Sequence, residues 1–216
     1  MDDARLILRS GALSAAPLLL GAVVRTHIDG AEVAVRLSEV EAYEGDVDPG
    51  SHAYRGRTAR NAVMFGPAGR LYVYFTYGMH FCANVVCGED GRSSAVLLRS
   101  GEVIVGRTAA RSRRGPAADR LPEARLASGP ARLAQCLGLG REHNGMELAR
   151  RGGGEWASLE SLGRVPEASV ATGARVGVAG PGGSSEFPWR FSIAGDPTVS
   201  VYRAAKRRAG EPARRD

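Results

Sequence analysis

Lysine is nearly missing from this chain: Lys206 is the single one among 29 basic residues in a length of 216. Cysteine is scarce as well. Three of them, an odd number, cannot complete a disulfide framework, and no Cys or His pair has zinc-finger spacing. No apolar run reaches the length of about 18 residues that a membrane span needs. The uncharged stretch Gly11 to Val24 is broken by Pro17 and Gly21. Met1-Asp2-Asp3 is acidic where a signal peptide carries positive charge, so the expected home is a reducing cytoplasm. A GxxxxGK phosphate loop, a dinucleotide fingerprint with the right helix after it, and a G-x-S-x-G elbow are all lacking. The glycine-rich stretches Gly152-Gly153-Gly154 and Gly180-Pro181-Gly182-Gly183 therefore read as loops. No metal and no cofactor is predicted.

What is present is a folded chain. Hydrophobic residues make up 44% and charged residues 24%, and a chain of this size buries roughly 70% of its unfolded surface. One domain is expected. The net charge of +6 is uneven: residues 1–100 hold 10 basic and 11 acidic side chains, residues 101–216 hold 19 and 12. The densest block is Arg107, Arg111, Arg113, Arg114, Arg120 and Arg125, opposed by Asp119 and Glu123. Arginine forks suit phosphate oxygens, which points to a nucleic-acid partner. The alternative is an arginine-for-lysine bias of a GC-rich genome on a solvated basic face.

Leu13–Leu20 reads as a short helix. Ala22–His27 and Glu32–Tyr43 read as strands around an Asp29-Gly30 turn. A polar loop follows from Glu44 to Asn61. Leu71–Tyr77 and His80–Cys87 form a second hairpin around Gly78-Met79, and Ala95–Leu98 is a further strand. The arginine block is at best partly helical. Ser128 before Gly129-Pro130 looks like the N-cap of a helix ending near Gly138 or Gly140. Val176–Val178, Phe191–Ile193 and Thr198–Tyr202 are expected to return as strands. The domain is placed at residues 1–203, with 204–216 a basic, disordered tail.

Period-two alternation puts Val33, Val35, Leu37, Glu39, Glu41 and Tyr43 on one face. Either both glutamates emerge into water at the strand end, or a carboxylate leaving an apolar face serves as a general base. In the second hairpin, Tyr72, Tyr74 and Tyr77 with Phe75 crowd one turn. Tyr77 at the tip suits a wedge entering a base step, and Tyr74 a stacking surface; a tyrosine stripe packing a core is the ordinary reading. Asn84 and Arg99 interrupt apolar strands and need partners, structural or substrate. His52, in the loop, is either exposed or part of a site. Cys82 and Cys87 have opposite parity and are poor co-ligands.

Taken in order, these segments resemble the 3-methyladenine DNA glycosylase family of the alkyladenine type. The resemblance is carried by Ser38-Glu39-Val40-Glu41-Ala42-Tyr43, Ser51-His52-Ala53-Tyr54-Arg55-Gly56-Arg57-Thr58, Arg60-Asn61 and Met64-Phe65. It continues through Tyr72-Val73-Tyr74, Tyr77-Gly78-Met79, Cys82-Ala83-Asn84, Leu97-Leu98-Arg99, Ala127-Ser128-Gly129-Pro130-Ala131 and Arg175-Val176-Gly177-Val178, from about residue 5 to 203.

The resemblance implies a single α/β (α+β) domain around a curved, mainly antiparallel sheet, with a protruding hairpin that inserts into the DNA minor groove. It implies Glu41 as the activator of water, assisted by Arg99. Tyr43 and Tyr74 would sandwich a flipped base, with His52 along its edge, and Asn84 would crowd the amino group of guanine. Tyr77 and Met79 would be the inserting residues at the tip. The implied partner is duplex DNA carrying damaged purines, read by a monomer in a bacterial cytoplasm, at the nucleoid. Lacking an internal lysine to form a Schiff base, the chain is expected to excise bases without cutting the sugar–phosphate backbone. Ala59 and Ala174 depart from the family by standing where proline is common. A noncatalytic damage-binding protein is the competing reading, and a small-molecule hydrolase with an incidental basic surface a third.

Overall fold

Asp29 and Gly30 adopt positive φ, 50° and 70°, the left-handed pair that a two-residue turn between twisted strands demands. They join β1 (Val23–Ile28) to β2 (Ala31–Tyr43) in the expected hairpin. The computed structural model describes residues 2–76, 78–149, 153–160 and 164–205. The wedge expected at Tyr77 and the tail from Lys206 onward lie outside the described residues. Two short helices, α1 (Asp2–Arg9) and α2 (Ala12–Leu18), precede the hairpin.

β3 (Leu71–Thr76) and β4 (His80–Val86) pair antiparallel from Leu71 against Val85 out to Thr76 against His80. β5 (Ala95–Val105) runs seven residues past the predicted Leu98, because its ladder with β2 continues to Val105. After α3 (Arg107–Arg114), the two-residue β6 (Ala127–Ser128) pairs with β5 and α4 (Pro130–Leu137) follows. β7 (Trp156–Glu160), β8 (Val170–Gly173) and β9 (Arg190–Ile193) complete the sheet. Its order is β3-β4-β5-β2-β1-β7, with β9 on β2 and β8 on β9, and it curls into a half-barrel. Among the described residues no helix is long and apolar enough to cross a membrane.

The alternation expected along β2 breaks. Leu37 faces Gly101 but Glu39 faces Ser100, leaving Ser38 extra; Glu39 then faces Ser100 while Val40 faces Leu98, leaving Arg99 extra. Each bulge flips strand parity. Val33, Val35 and Leu37 therefore share the core with Val40 and Ala42, while Glu39 and Glu41 point to the other side. β2 also changes neighbour here, pairing with β1 through Arg36 and with β9 from Glu39 to Glu41.

Three further expectations are corrected. Ser128 is not an N-cap: the ladder with Ser100 claims it, and Gly129 at φ 109° takes that position ahead of Pro130. Val176–Val178 is not a strand, since the Val176 N–H donates to a side chain, Glu41 Oε1 at 2.7 Å. Thr198–Tyr202 is irregular for a related reason: its polar groups bond to buried side chains of β2, Thr198 Oγ1 to Ser38 Oγ at 2.6 Å and Ser200 N to Glu39 Oε2 at 2.8 Å. β7 and β8 lie in segments that carried no strand expectation.

The arginine block is helical in part, from Arg107 to Arg114, and much of it is turned inward. Arg113 donates to the carbonyls of Ile28 (2.5 Å), Ala31 (3.2 Å) and Cys136 (3.0 Å), tying α3 to the first hairpin and to the end of α4. Arg111 caps Ala118 and Leu121, and Arg114 reaches Leu126 O and the Gln135 side chain. These cations complete orphan carbonyls at helix and turn ends, so the charge excess overstates the surface offered to a polyanion.

Glu39 fastens β9 and the segment after it to β2. Fully buried, it accepts from Arg99 Nε (2.9 Å), Ser100 Oγ (2.8 Å), Arg190 Nε (2.7 Å), and Ser200 N (2.8 Å) and Oγ (3.0 Å). Burial alone would raise its pKa, but the charge of Arg99 and the bonds from Arg190 and Ser200 outweigh it and bring the carboxyl down from 4.5 to about 2. A depressed carboxyl contributes stability that is present above its ordinary value and is lost as pH falls toward the folded one. Glu39→Gln should therefore lower the unfolding free energy by about 3 kcal/mol at neutral pH. Urea titrations of both proteins should show that gap closing between pH 4.5 and about 2.

Candidate active site

A cleft of about 710 Å³ lies between the β3–β4 hairpin and the segment after β8, and Tyr43 at the end of the reversed face of β2 lines it. Five residues singled out in the sequence, Tyr43, His52, Tyr74, Asn84 and Arg99, line it together. Glu41, fully buried, is held by two of these lining residues: Tyr43 Oη donates to its Oε2 at 2.9 Å, and Arg99 Nη1 stands 3.3 Å from the same oxygen. The Val176 N–H holds the other oxygen. A carboxylate offers about four lone-pair sites, so three contacts leave one acceptor position unused.

Parity places the aromatics. Tyr72, Tyr74 and Thr76 alternate onto the cleft side of β3, while Phe75 turns to the far side and packs on Phe81 with centroids 5.0 Å apart. Tyr72 and Tyr74 stack at 5.4 Å, and the His52 ring stands edge-on to Tyr74 at 4.6 Å. His52 Nδ1 lies 3.2 Å from Tyr72 Oη. Desolvation, with the nearby charge of Arg60, holds its pKa below the usual 6.5, so the imidazole presents a neutral edge. Burial raises the hydroxyl pKa of both Tyr43 and Tyr74, and the Glu41 charge adds to the effect at Tyr43. Tyr43, His52 and Tyr74 thus present uncharged aromatic surfaces, with the guanidinium of Arg99 among the lining residues.

Asn84 is 4% exposed and uses its Nδ2 on Tyr72 O at 3.0 Å, which locks β3 to β4 at the level of the cleft. Met79 is elsewhere: at 69% exposed, it stands on the hairpin turn away from the cleft lining. Cys82 lines the cleft while Cys87 belongs to the core, as opposite parity predicts. Asn61 holds the His52 loop, donating to His52 O and Gly56 O at 3.0 Å each and accepting from Thr58 N at 2.6 Å.

Sequence reasoning assigned no role to Arg175, which proves central to the cleft wall. It makes a bidentate pair with Asp48, 2.6 Å on each side, with both residues at 0% exposure. It also donates to Ala42 O at 2.9 Å and to Gly182 O at 2.7 Å, and its guanidinium lies 4.5 Å from the Tyr43 ring centroid. One cation therefore backs Tyr43, holds the loop that carries Val176, and fixes Asp48. The approach is so close that a Cβ on Gly50 would fall 2.5 Å from Arg175 Nη2, and one on Gly182 would fall 2.3 Å from Gly50 N. A lone arginine between two glycine-rich turns gives no periodicity signal; the Arg175-Val176-Gly177-Val178 run was visible only as part of an ordered resemblance.

Chemically, the arrangement offers flat π surfaces for a planar, electron-poor ring and a carboxylate able to take a proton from water beside it. A family model described as methylpurine-DNA glycosylase matches residues 7–197. A Streptomyces avermitilis protein is 55% identical over 193 residues, covering 89% of this chain and 87% of its own length. A Leifsonia xyli protein is 50% identical over 196 residues, covering 90% and 89%. One from Burkholderia lata is 43% identical over 189 residues, covering 88% and 86%. All three carry the provisional name 3-methyladenine DNA glycosylase. With motifs, fold and near full-length matches in agreement, the chain belongs to the methylpurine-DNA glycosylase family.

Proposed function

We propose that this protein is a monofunctional DNA N-glycosylase that hydrolyses alkylated purines, and deaminated or etheno purines as further substrates, from duplex DNA. The observation that carries the reading is Glu41: a buried carboxylate held by three residues that line an aromatic cleft, Tyr43, Arg99 and Val176.

The damaged nucleotide is flipped out of the stack, which costs a few kcal/mol and is cheapest where pairing is already weak. Tyr77 inserts into the gap it leaves, with Met79 beside it. The base enters between Tyr43 and Tyr74, with His52 along its edge, and Asn84 crowds the amino group by which guanine differs. A purine made cationic by alkylation gains from the aromatic faces. It also departs as a neutral base, keeping the electron pair of the broken N–C1′ bond. Water held on Glu41 attacks C1′ and gives up its proton to the carboxylate. Arg99 keeps that carboxylate aimed at the sugar. One protomer carries the whole site, so a monomer suffices.

Base release from a duplex holding one hypoxanthine or one methylated purine tests the reading. Wild type should leave abasic sites, and Glu41→Gln should be slower by at least about a hundredfold while still binding the duplex. Binding without release by wild type would favour a damage-binding protein.

The only lysine in the chain is Lys206, which falls in none of the motifs. Borohydride added during turnover should therefore trap no covalent protein–DNA adduct. A trapped adduct would show Schiff-base chemistry and strand cleavage.

A further inference from the structure

The guanidinium that meets Glu41 is itself gripped from behind. Arg99 Nε donates to Glu39 at 2.9 Å and Nη2 reaches Ser200 Oγ at 3.4 Å, leaving Nη1 to face Glu41 at 3.3 Å. A guanidinium is planar and rigid, so fixing two nitrogens fixes the direction of the third. Glu39 is in turn held by Arg190 Nε, Ser100 Oγ and both polar groups of Ser200. Arg190 also donates to Ser200 O at 3.2 Å, which closes the ring around the second carboxylate.

Ser200 lies beyond residue 197, where the family match ends. The same segment carries Thr198, bonded to Ser38 Oγ, and Arg203, whose carbonyl accepts from Gly177 N at 3.0 Å in the cleft wall. It therefore touches the bulge, the second carboxylate and the wall at once.

We propose that Glu39 and Ser200 form a clamp that positions Arg99 against Glu41, and that the segment from Thr198 to Arg203 is a working part of the active site. They are positioning residues: neither reaches the reacting atoms, and both act through Arg99. The proposal rests on the reading of Glu41 as the base. The competing role is purely architectural, with Glu39 only pinning β9 and the following segment to β2.

A double-mutant cycle on the full chain separates the two, with single-turnover base release and duplex affinity measured for each protein. Glu39→Gln should slow release by about tenfold or more, since small misplacements of catalytic groups are costly. Duplex affinity should change little. Added to Arg99→Met, or to Arg99→Lys if the former is too slow to time, Glu39→Gln should cost nothing further. Ser200→Ala should cost a few-fold alone and nothing on either Arg99 background, and it carries the test if Glu39→Gln fails to fold. Additive losses, parallel loss of binding and rate, or an unchanged rate in the single variants would each overturn the clamp. Wild type that releases no base would instead overturn the reading beneath it.

Discussion

Between Leu37 and Val40 the ladder joining β2 to β5 takes in one extra residue on each strand, Ser38 and Arg99. That pair of insertions lets one strand serve two purposes. Up to Leu37 its alternate residues feed the core. Beyond the bulges the parity is reversed, so Val40 and Ala42 continue the core while Glu39 and Glu41 face the opposite side. The extra residue on β5 is the arginine that both carboxylates need. A regular ladder would have placed two buried carboxylates among valines and leucines, an arrangement disfavoured by several kcal/mol per unpaired charge.

Buried charge is tolerated here because it comes in closed sets. Glu39, Glu41, Arg99 and Arg190 form one, and Asp48 with Arg175 the other. Neither set is strong evidence for stability, since apolar residues of similar volume often do as well. Their value is directional: forks and carboxylates fix where side chains point. The arginines of α3 follow the same logic with carbonyls as partners.

Much of the fold was legible in the sequence. The two hairpins follow from Asp29-Gly30 and from the β-rich runs around Gly78-Met79, and α4 follows from Pro130 and Gly138. The cleft lining was recovered as well, since Tyr43, His52, Tyr74, Asn84 and Arg99 converge. What escaped was nonlocal. Register insertions leave no mark on hydrophobic alternation, which gives β2 one continuous face. Val176 and Ser200 have the neighbours of strand residues, although their N–H groups bond to carboxylates far away in the chain. The inward turn of Arg111, Arg113 and Arg114 depends on carbonyls supplied by other elements. A count of charges is blind to that.

The fully buried pair of Arg175 and Asp48 sets the entropy of binding. Loop backbone left free must be ordered when a ligand arrives, at a cost of order 1–2 kcal/mol per residue. Here the wall from Arg175 to Gly182 is anchored to β2 through Ala42 and packed against Gly50 too closely for any side chain between them. Its conformational freedom is lost when the chain folds, before any ligand is present. The width of the cleft is then a property of the free protein, a preorganised slot rather than a surface that moulds itself around whatever enters.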